Sequence, residues 1–359
     1  MEVFIMDRDC RSVSNSSFSG CPLGAENVPT ISTTLSPSDL LGSWRVRWGI
    51  ERMDYAVSPG LYAIGEPDAT SPVLVSANYK LTFDTLRQNL TGLDCWLLIL
   101  DTDGINVWCA AGKGTFGTDE LLRRIEAVKL SEVVTHRELV LPQLGAPGID
   151  AHEVTKRSGF TVRYGPVRAK DIKAYIAAGY QATREMRLVE FTLTDRAALV
   201  PMELLPAIET SLPVLGAAFA VDLLARGIYS KKLFSIADLV ACAGAVISGT
   251  TITTLLLPYI PGKAFSLKGW LVGAAWSIIY LVKSGVLCAG NYLLSAGYLL
   301  CLPAVSSFFA LNLTGSSTYT SPSGVKKEMQ VSLPLIAASA LIGIMLVIIS
   351  RATDGRENR

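Results

Sequence analysis

From Leu204 onward the chain carries few charges and runs in long apolar stretches, and this limits what that half can fold into. A bilayer needs roughly 20 apolar residues per helical crossing. About five stretches have that length, near 204–225, 236–257, 267–287, 289–313 and 331–350. The first contains Glu209, Asp222 and two prolines, so an interfacial or re-entrant helix competes there with a true span. Lysine pairs stand in loops of both parities (Lys231 and Lys232, Lys263 and Lys268, Lys326 and Lys327), so loop charge does not fix orientation. The acids and Lys283 could mark a transport path, but no repeat of broken helices accompanies them, and anchoring is the simpler reading.

The preceding part has a different character. Residues 38–200 hold most of the charge, which is 18% of the chain against 50% hydrophobic residues. Strand-like runs at Val73–Ala77, Cys95–Asp101, Leu139–Leu141, Phe160–Tyr164 and Val189–Leu193 alternate with helical spacing at Thr82–Asn89, Thr118–Val128, Ala151–Arg157 and Ala169–Ala178. Such alternation predicts a parallel α/β sheet that binds ligands at its strand carboxyl ends. Residues 1–37, rich in Ser, Pro, Thr and Gly, read as a disordered leader without the apolar core of a signal peptide. The expected order is leader 1–37, soluble domain 38–200, transmembrane domain 201–350 and tail 351–359. The net charge of +1, with no basic stretch, argues against a nucleic-acid partner.

The chemistry concentrates in Asn106-Val-Trp-Cys-Ala-Ala-Gly-Lys-Gly-Thr-Phe-Gly-Thr118. Cys109 follows the buried-strand run and precedes a helix whose first turn holds Asp119 and Glu120. Backbone N–H groups and a positive helix end at such a junction favour a thiolate. Asp103-Gly104 is a turn signal, so Ile105–Trp108 is expected as a short return strand that positions the thiol. Gly112-Lys-Gly-Thr-Phe-Gly117 formally matches the dinucleotide pattern GxGxxG, but midway through the domain and with no ribose-binding acid at the usual distance. Ala110, Ala111, Gly112 and Gly114 leave room for something large to approach the backbone.

Four roles for Cys109 follow from its residues alone: structural thiol, nucleophile, redox thiol, or ligand to a metal carried by a cofactor. Only His136 and His152 could serve as a base, and the seven cysteines contain no CxxC pair for a zinc or iron–sulfur site.

The motif Asn106–Thr118 resembles the signature of the mercury-methylating corrinoid proteins. More broadly, the soluble half resembles the corrinoid-binding domain of the corrinoid iron–sulfur protein of the acetyl-CoA pathway. The similarity takes in Pro59–Tyr62, Ser71–Lys80, Leu141–Gly148, Ala151–Val154, Ser158–Phe160 and Tyr164–Ala169. About five C-terminal spans belong with the former group and not the latter.

The resemblance implies a Rossmann-like α/β corrinoid-binding domain followed by an all-α transmembrane domain. It implies a cobalamin-type cofactor bound base-off, with Cys109 as lower axial ligand to cobalt. The histidine motif D-x-H-x-x-G of common B12 domains is absent, and neither His136 nor His152 substitutes for it. Asn106 and Trp108 would fix the turn, and Ala110, Ala111 and Gly112 would admit the ring. Lys113 would meet its amides or phosphate, while Gly114, Thr115 and Gly117 shape the following helix. Ser76, Ala77, Asn78 and the loop Gln143, Leu144, Gly145 and Ala146 would complete the site. The implied reaction passes a methyl group from methyl-cobalt(III) to Hg(II), making the chain a methyltransferase. A ferredoxin-like [4Fe-4S] protein would supply electrons and a methyltetrahydrofolate-linked donor the methyl group. The corrinoid domain would face the cytoplasm from the inner membrane. The alternatives are a corrinoid methyl carrier of one-carbon metabolism, or a nucleotide-binding domain on a membrane transporter.

Overall fold

The computed structural model describes residues 28–52, 54–229, 233–315 and 322–354. They form two compact units that divide at Val189/Glu190, with Arg47–Gly49 grouped with the second. Of the expected leader, residues 1–27 lie outside the described residues.

The first unit is built on strands β1 (Gly60–Ile64), β2 (Val73–Ala77), β3 (Cys95–Leu100), β4 (Glu138–Leu141) and β5 (Thr161–Tyr164). Their order in the sheet is β1-β3-β2-β4-β5. Four strands are parallel, and β1 is antiparallel to β3, pairing Gly60 with Ile99 and Ile64 with Cys95. The sheet is therefore mixed, where the sequence predicts a parallel one. β1 itself has no counterpart among the predicted strands. Residues of β1, β2 and β3 are buried on both faces, which explains why their sequences are continuous apolar runs without alternation.

Helix α1 (Pro37–Arg47) precedes the sheet, and helix α2 (Lys80–Asn89) connects β2 to β3. On α2's face of the sheet, Phe83, Leu86 and Leu90 pack with Leu74, Leu97, Ile99 and Val140. Helices α3 (Val107–Lys113), α4 (Thr118–Ala127) and α5 (Leu130–Val133) connect β3 to β4, and α6 (Ala151–Ser158) connects β4 to β5. These cover the opposite face, where Val107, Leu121, Ile125 and Val154 meet Val75, Leu98 and Leu141. The connection out of β2 thus goes to one face and that out of β4 to the other. These neighbours leave a crevice between their carboxyl ends, the usual ligand position in such sheets.

Two predicted strands are not formed. Ile105–Trp108 lies in a loop and the start of α3, while Val189–Leu193 leads into helix α8 (Leu193–Tyr229). At the latter, the Thr192 backbone N–H donates to Asp195 and the Asp195 N–H to the Thr192 hydroxyl, a reciprocal cap that starts a helix instead. The helix predicted over Ala169–Ala178 is a short 3-10 turn continued by α7 (Ile172–Ala177).

Residues 29–31 run along the outer edge of β1, with the Ile31 N–H donating to the Ala63 carbonyl at 2.9 Å and the Ala63 N–H to Pro29 at 3.0 Å. Beyond them Asp39 meets Lys80 at 2.6 Å and Arg87 at 2.7 Å, and both cations also bond Asp84. Arg87 donates in addition to the Ser32 and Thr34 carbonyls. Burial alone would raise the Asp39 carboxyl, but the hydrogen bonds from Lys80 and Ser36 outweigh it and hold the group well below the usual carboxylate range.

The second unit contains five helices long and apolar enough to cross a membrane. They are α8, α9 (Ile236–Ile247) continued through a π-helical turn Ser248–Ile252 into α10 (Thr253–Leu256), α11 (Phe265–Lys283), α12 (Tyr292–Asn312) and α13 (Pro322–Asp354). Their interfaces rest on small residues. A Cβ on Gly269 would lie 2.8 Å from the Ser306 carbonyl, one on Gly273 2.8 Å from Pro303 Cα, and one on Gly297 2.9 Å from the Gly343 carbonyl. Close backbone approach of this kind is how apolar helices associate where burial from water gives no advantage. Asp222, near the end of α8, accepts the Leu233 and Phe234 N–H groups and pairs with Arg226, while Glu209 is exposed. Lys283 is exposed at the end of α11.

A group whose folded pKa is depressed stabilises the fold above its unfolded value and loses that contribution as pH falls through the folded one. Asp39 should therefore stabilise the contact between residues 32–39 and α2 fully above about pH 4, and the contact should weaken progressively below. Asp39→Asn should cost roughly 2–3 kcal/mol at pH 7, less than a fully buried pair because Asp84 still faces both cations. Hydrogen exchange of the α2 amides between pH 3 and 7 checks both.

Candidate functional site

The crevice between β2 and β4 is organised by Asn78, a buried residue immediately after β2. Its side-chain oxygen accepts the Thr102 N–H at 3.1 Å, the Thr102 hydroxyl at 2.8 Å and the Gly104 N–H at 3.1 Å. Its amide nitrogen donates to Asp101 at 3.3 Å. One side chain thus clamps the loop that leaves β3. Within that loop Asp103 and Gly104 both take positive φ, and the Ile105 carbonyl lies 2.7 Å from the Thr102 hydroxyl, whose one proton is shared between it and Asn78. The chain is turned directly into α3, so no return strand is needed.

Asn106 is the N-cap of α3, its side-chain oxygen accepting the Cys109 N–H at 2.9 Å. The helix has two distinct sides. Val107, Ala110 and Ala111 are buried in the core, Ala110 completely. Trp108, Cys109, Gly112 and Lys113 are exposed, Trp108 at 42%. The alanines therefore seat the helix on the sheet, and the open side is formed by the other four residues. Cys109 is the exposed thiol of this unit's described residues; Cys95 is buried in β3, where desolvation and the Asp94 charge push its thiol up to about 12.

The motif's glycines divide in the same way. Gly114 ends α3 with φ +86°, a left-handed position suited to glycine. Gly117 is the N-cap of α4, and a Cβ there would stand 2.6 Å from the Gly114 carbonyl. Gly112 has neither constraint: it lies in ordinary helical backbone, and a Cβ on it would meet nothing within 4 Å. Thr115, between them, has its hydroxyl oxygen buried without a hydrogen-bond partner. The formal GxGxxG therefore runs from inside one short helix to the start of the next. It is not the strand-to-helix loop that cradles a dinucleotide.

Opposite α3 stands the 3-10 turn Gln143–Gly148 that follows β4. Gly145 fits under Phe116, whose ring a Cβ would strike at 2.5 Å, and Gly148 faces the Phe116 carbonyl at 2.1 Å from the same hypothetical atom. Leu144 is partly buried against the core, Ala146 is half-buried, and Gln143 accepts from Arg187 at 2.7 Å. Ser76 and Ala77 are buried at the end of β2. Ser76, Asn106, Trp108, Pro142 and Leu144 line a cavity of about 420 Å³ that continues past Tyr79 and Leu86. Sequence reasoning misses the α2 wall of this cavity and its far side at Gly165, Pro166 and Val167, because those residues carry no chemistry of their own.

Neither histidine enters this arrangement as a base for Cys109. His136 precedes β4, at the amino end of the sheet, where its Nε2 bonds the Ser71 carbonyl at 2.9 Å and its Nδ1 accepts the Glu138 N–H at 3.2 Å. His152 stands in the first turn of α6 with its backbone N–H given to Asp150. Among the described residues no three His, Cys, Asp or Glu side chains gather as a metal site. The site offers one soft donor, open space beside it and an apolar cavity.

Residues 49–176 match the family described as CO dehydrogenase/acetyl-CoA synthase delta subunit. The same region is similar to acetyl-CoA decarbonylase/synthase complex subunit gamma of Archaeoglobus fulgidus, 36% identical over 127 residues, or 35% of this chain and 27% of that protein. The Methanopyrus kandleri subunit gamma is 34% identical over 122 residues, covering 33% and 26%. Subunit gamma 2 of Methanosarcina thermophila is 40% identical over 99 residues, covering 26% and 21%. This chain spans about a quarter of the length of these relatives. The α/β unit carries a domain homologous to theirs.

Replacing Asn78 by Ala leaves the Thr102 and Gly104 N–H groups without their acceptor. A loss of about 2–3 kcal/mol is expected, at the upper end for unsatisfied buried groups. Accelerated exchange of those two amides relative to the β2 and β3 ladder would mark the effect as local.

Proposed function

We propose that this chain is a membrane-anchored corrinoid methyltransferase that delivers a methyl group to Hg(II), with the Cys109 thiolate as lower axial ligand to cobalt. The observation that carries the reading is the open side of α3, where an exposed thiol stands beside a glycine whose absent side chain no other part of the protein replaces. A corrinoid bound there supplies a cobalt centre able to take up and give away a methyl group. The donor set fits such a group: a soft sulfur ligand with no competing histidine at hand.

Each neighbouring residue then has a task. Asn106 fixes the Cys109 backbone through the cap, and Asn78 fixes the loop before it. Gly112 admits the face of a large ring, and exposed Lys113 reaches its amides or phosphate. Thr115 has a hydroxyl to give. The cavity beside Trp108 accepts an apolar part of the ligand. The Cys109 thiolate would hold such a group through its sulfur, a stronger electron donor than an imidazole, and that donation would suit the giving of a methyl group to an electrophile such as Hg(II).

The seven cysteines include no cluster motif, so reducing electrons come from a separate protein, in our reading a ferredoxin-like [4Fe-4S] partner. The methyl donor is linked to methyltetrahydrofolate. The five apolar helices hold the α/β unit at the cytoplasmic face of the inner membrane, where low-potential reductants are found. The relatives in acetyl-CoA decarbonylase/synthase favour a second reading, a corrinoid methyl carrier whose physiological acceptor belongs to one-carbon metabolism.

The test is the optical spectrum of the full chain reconstituted with cobalamin, followed by incubation with Hg(II) under reducing conditions. A sulfur-ligated, base-off spectrum and methylmercury formation are expected, both lost in Cys109→Ala. Cobalamin binding indifferent to that change would remove the thiolate ligand, and methyl transfer only to a one-carbon acceptor would favour the carrier reading. Gly112→Ala separates fold from site: stability should be unchanged or raised by about 0.5 kcal/mol, while cobalamin affinity falls at least tenfold.

A further inference from the structure

Helix α1 carries its large apolar side chains outward. Its inner side consists of small and polar residues held against the α/β unit. Asp39 is bound by Lys80 and Arg87, Val46 is buried, and Gly42 fits beneath Tyr55, whose hydroxyl oxygen would stand 2.5 Å from a Cβ there. At 3.6 residues per turn, the opposite side of α1 is formed by Leu40, Leu41 and Trp44, continued by half-buried Trp48 just past its end. Leu40 and Leu41 are about half exposed, and Trp44 is 64% exposed. Gly49 follows with φ +77°, and the Ile50 N–H returns to the Arg45 carbonyl at 3.0 Å, a closure that brings exposed Ile50 back to the level of Trp44. Arg47, seven residues on from Leu40, borders this arc on one side; Arg45, four on from Leu41, borders it on the other. Arg45 pairs with Glu51 at 3.0 Å, both well exposed, a bond weak enough to yield to another anion. The one acid of α1, Asp39, faces inward. This order of apolar and small residues is the reverse of a helix that covers a core.

We propose that this arc is a lipid-contact surface that seats the α/β unit on the headgroup layer of a bilayer, with Arg45 and Arg47 on anionic phospholipid. The inference rests on the reading that the five apolar helices cross a membrane. Size, composition and connection select lipid over a protein partner. Taking about 200 Å² for a large apolar side chain, the exposed arc amounts to roughly 400 Å², about half of the ~800 Å² that a stable protein partner covers on each side. Leucine and tryptophan at the centre with guanidinium groups on both edges is the arrangement of a helix lying in the interface plane. Indole rings settle there at headgroup level, and arginine stems run along the apolar surface to reach phosphate. Only residues 188–192 separate the last 3-10 turn of the α/β unit from α8, at most about 18 Å of chain. A surface too small to hold a membrane from free solution therefore acts at high effective concentration. Because Asp39, Gly42 and Val46 fix the inner side of α1, lipid contact on its outer side limits the tilt of the whole unit and not of one loose helix.

The experiment uses the full chain in nanodiscs of phosphatidylcholine, alone or with an equal part of phosphatidylglycerol. The photo-crosslinker benzoylphenylalanine replaces Trp44, exposed Lys156 of α6 or exposed Leu341 of α13, one at a time, and mass spectrometry identifies the adducts. Position 44 should give phospholipid adducts, at least threefold more with phosphatidylglycerol present, while position 156 serves as the solvent reference. Leu40→Asn with Leu41→Asn should lower the yield at position 44 at least fivefold, and Arg45→Gln with Arg47→Gln should remove the preference for the anionic lipid. Unchanged hydrogen exchange of the α2 amides in both double variants would show that the inner contacts of α1 persist. Lipid adducts at position 341 but not at 44 would overturn this inference alone. So would a yield at position 44 no higher than at 156, a yield unmoved by the leucine changes, or crosslinks from position 44 to a second copy of the chain. Absence of lipid adducts at position 341 would overturn the membrane reading, and this inference with it.

Discussion

Every part of the α/β site depends on a reversal in the order of the strands. From β2 the chain moves outward to β3, then returns past β2 to lay down β4 and β5 on its other side. Because such crossovers have one hand, the reversal sends α2 to one face and α3 through α6 to the other. The carboxyl ends of β2 and β4 are left with diverging connections, and a buried polar group is required there to close the gap. Asn78 is that group. Three donors converge on its single oxygen, which fixes the loop after β3 and hence where α3 begins. The position of Cys109 is thus set by the sheet through one side-chain amide and one N-cap, without a strand of its own.

The helical unit solves a different problem. Helices apolar enough to cross a membrane would gain little by burial in an apolar solvent, and here specificity falls to close contact and to hydroxyl groups. Ser306 and Ser307 donate to the Gly269 and Ser266 carbonyls at 2.7 and 2.8 Å, across the same α11–α12 interface that the glycines bring together. Charged groups gather instead at helix ends. Asp238 is satisfied by Arg351 at 2.9 Å, by Tyr298 and by its own cap with Ser235, so an acid at the start of α9 costs little.

The fold was legible wherever burial alone decides structure. β2 and β3 are continuous hydrophobic runs because both faces of the sheet demand it. Their limits and those of α11 and α12 emerge within a few residues, whereas α8 begins eleven residues before its expected start and α13 nine. Errors fall where a side-chain hydrogen bond overrides local pattern. Asp103-Gly104 carries a hairpin signal, yet Asn78, twenty-odd residues away, accepts the Thr102 and Gly104 N–H groups and turns the segment into a loop. Val189–Leu193 has strand-like residues, but the Thr192–Asp195 cap commits it to a helix. β1 is short and follows Pro59, and its pairing with β3 is antiparallel, which a regular alternation of strand and helix does not announce. The motif around Cys109 was legible as a unit, whereas the division of its small residues between core and open space was not.

That division gives the motif its meaning. A glycine can be required by backbone conformation, by a neighbour in the same protein or by something outside it, and the sequence writes all three alike. Gly114 belongs to the first kind through its positive φ; Gly117, Gly145 and Gly148 belong to the second, each crowded by protein atoms. Ala110 and Ala111, read from sequence as making room for a ligand, are buried where α3 packs on the sheet. Gly112 alone in this group has ordinary helical conformation and open space where its side chain would be. Helix stability would favour alanine at that position, so the fold gives no reason for glycine. That open side of α3 is also the one that carries Cys109.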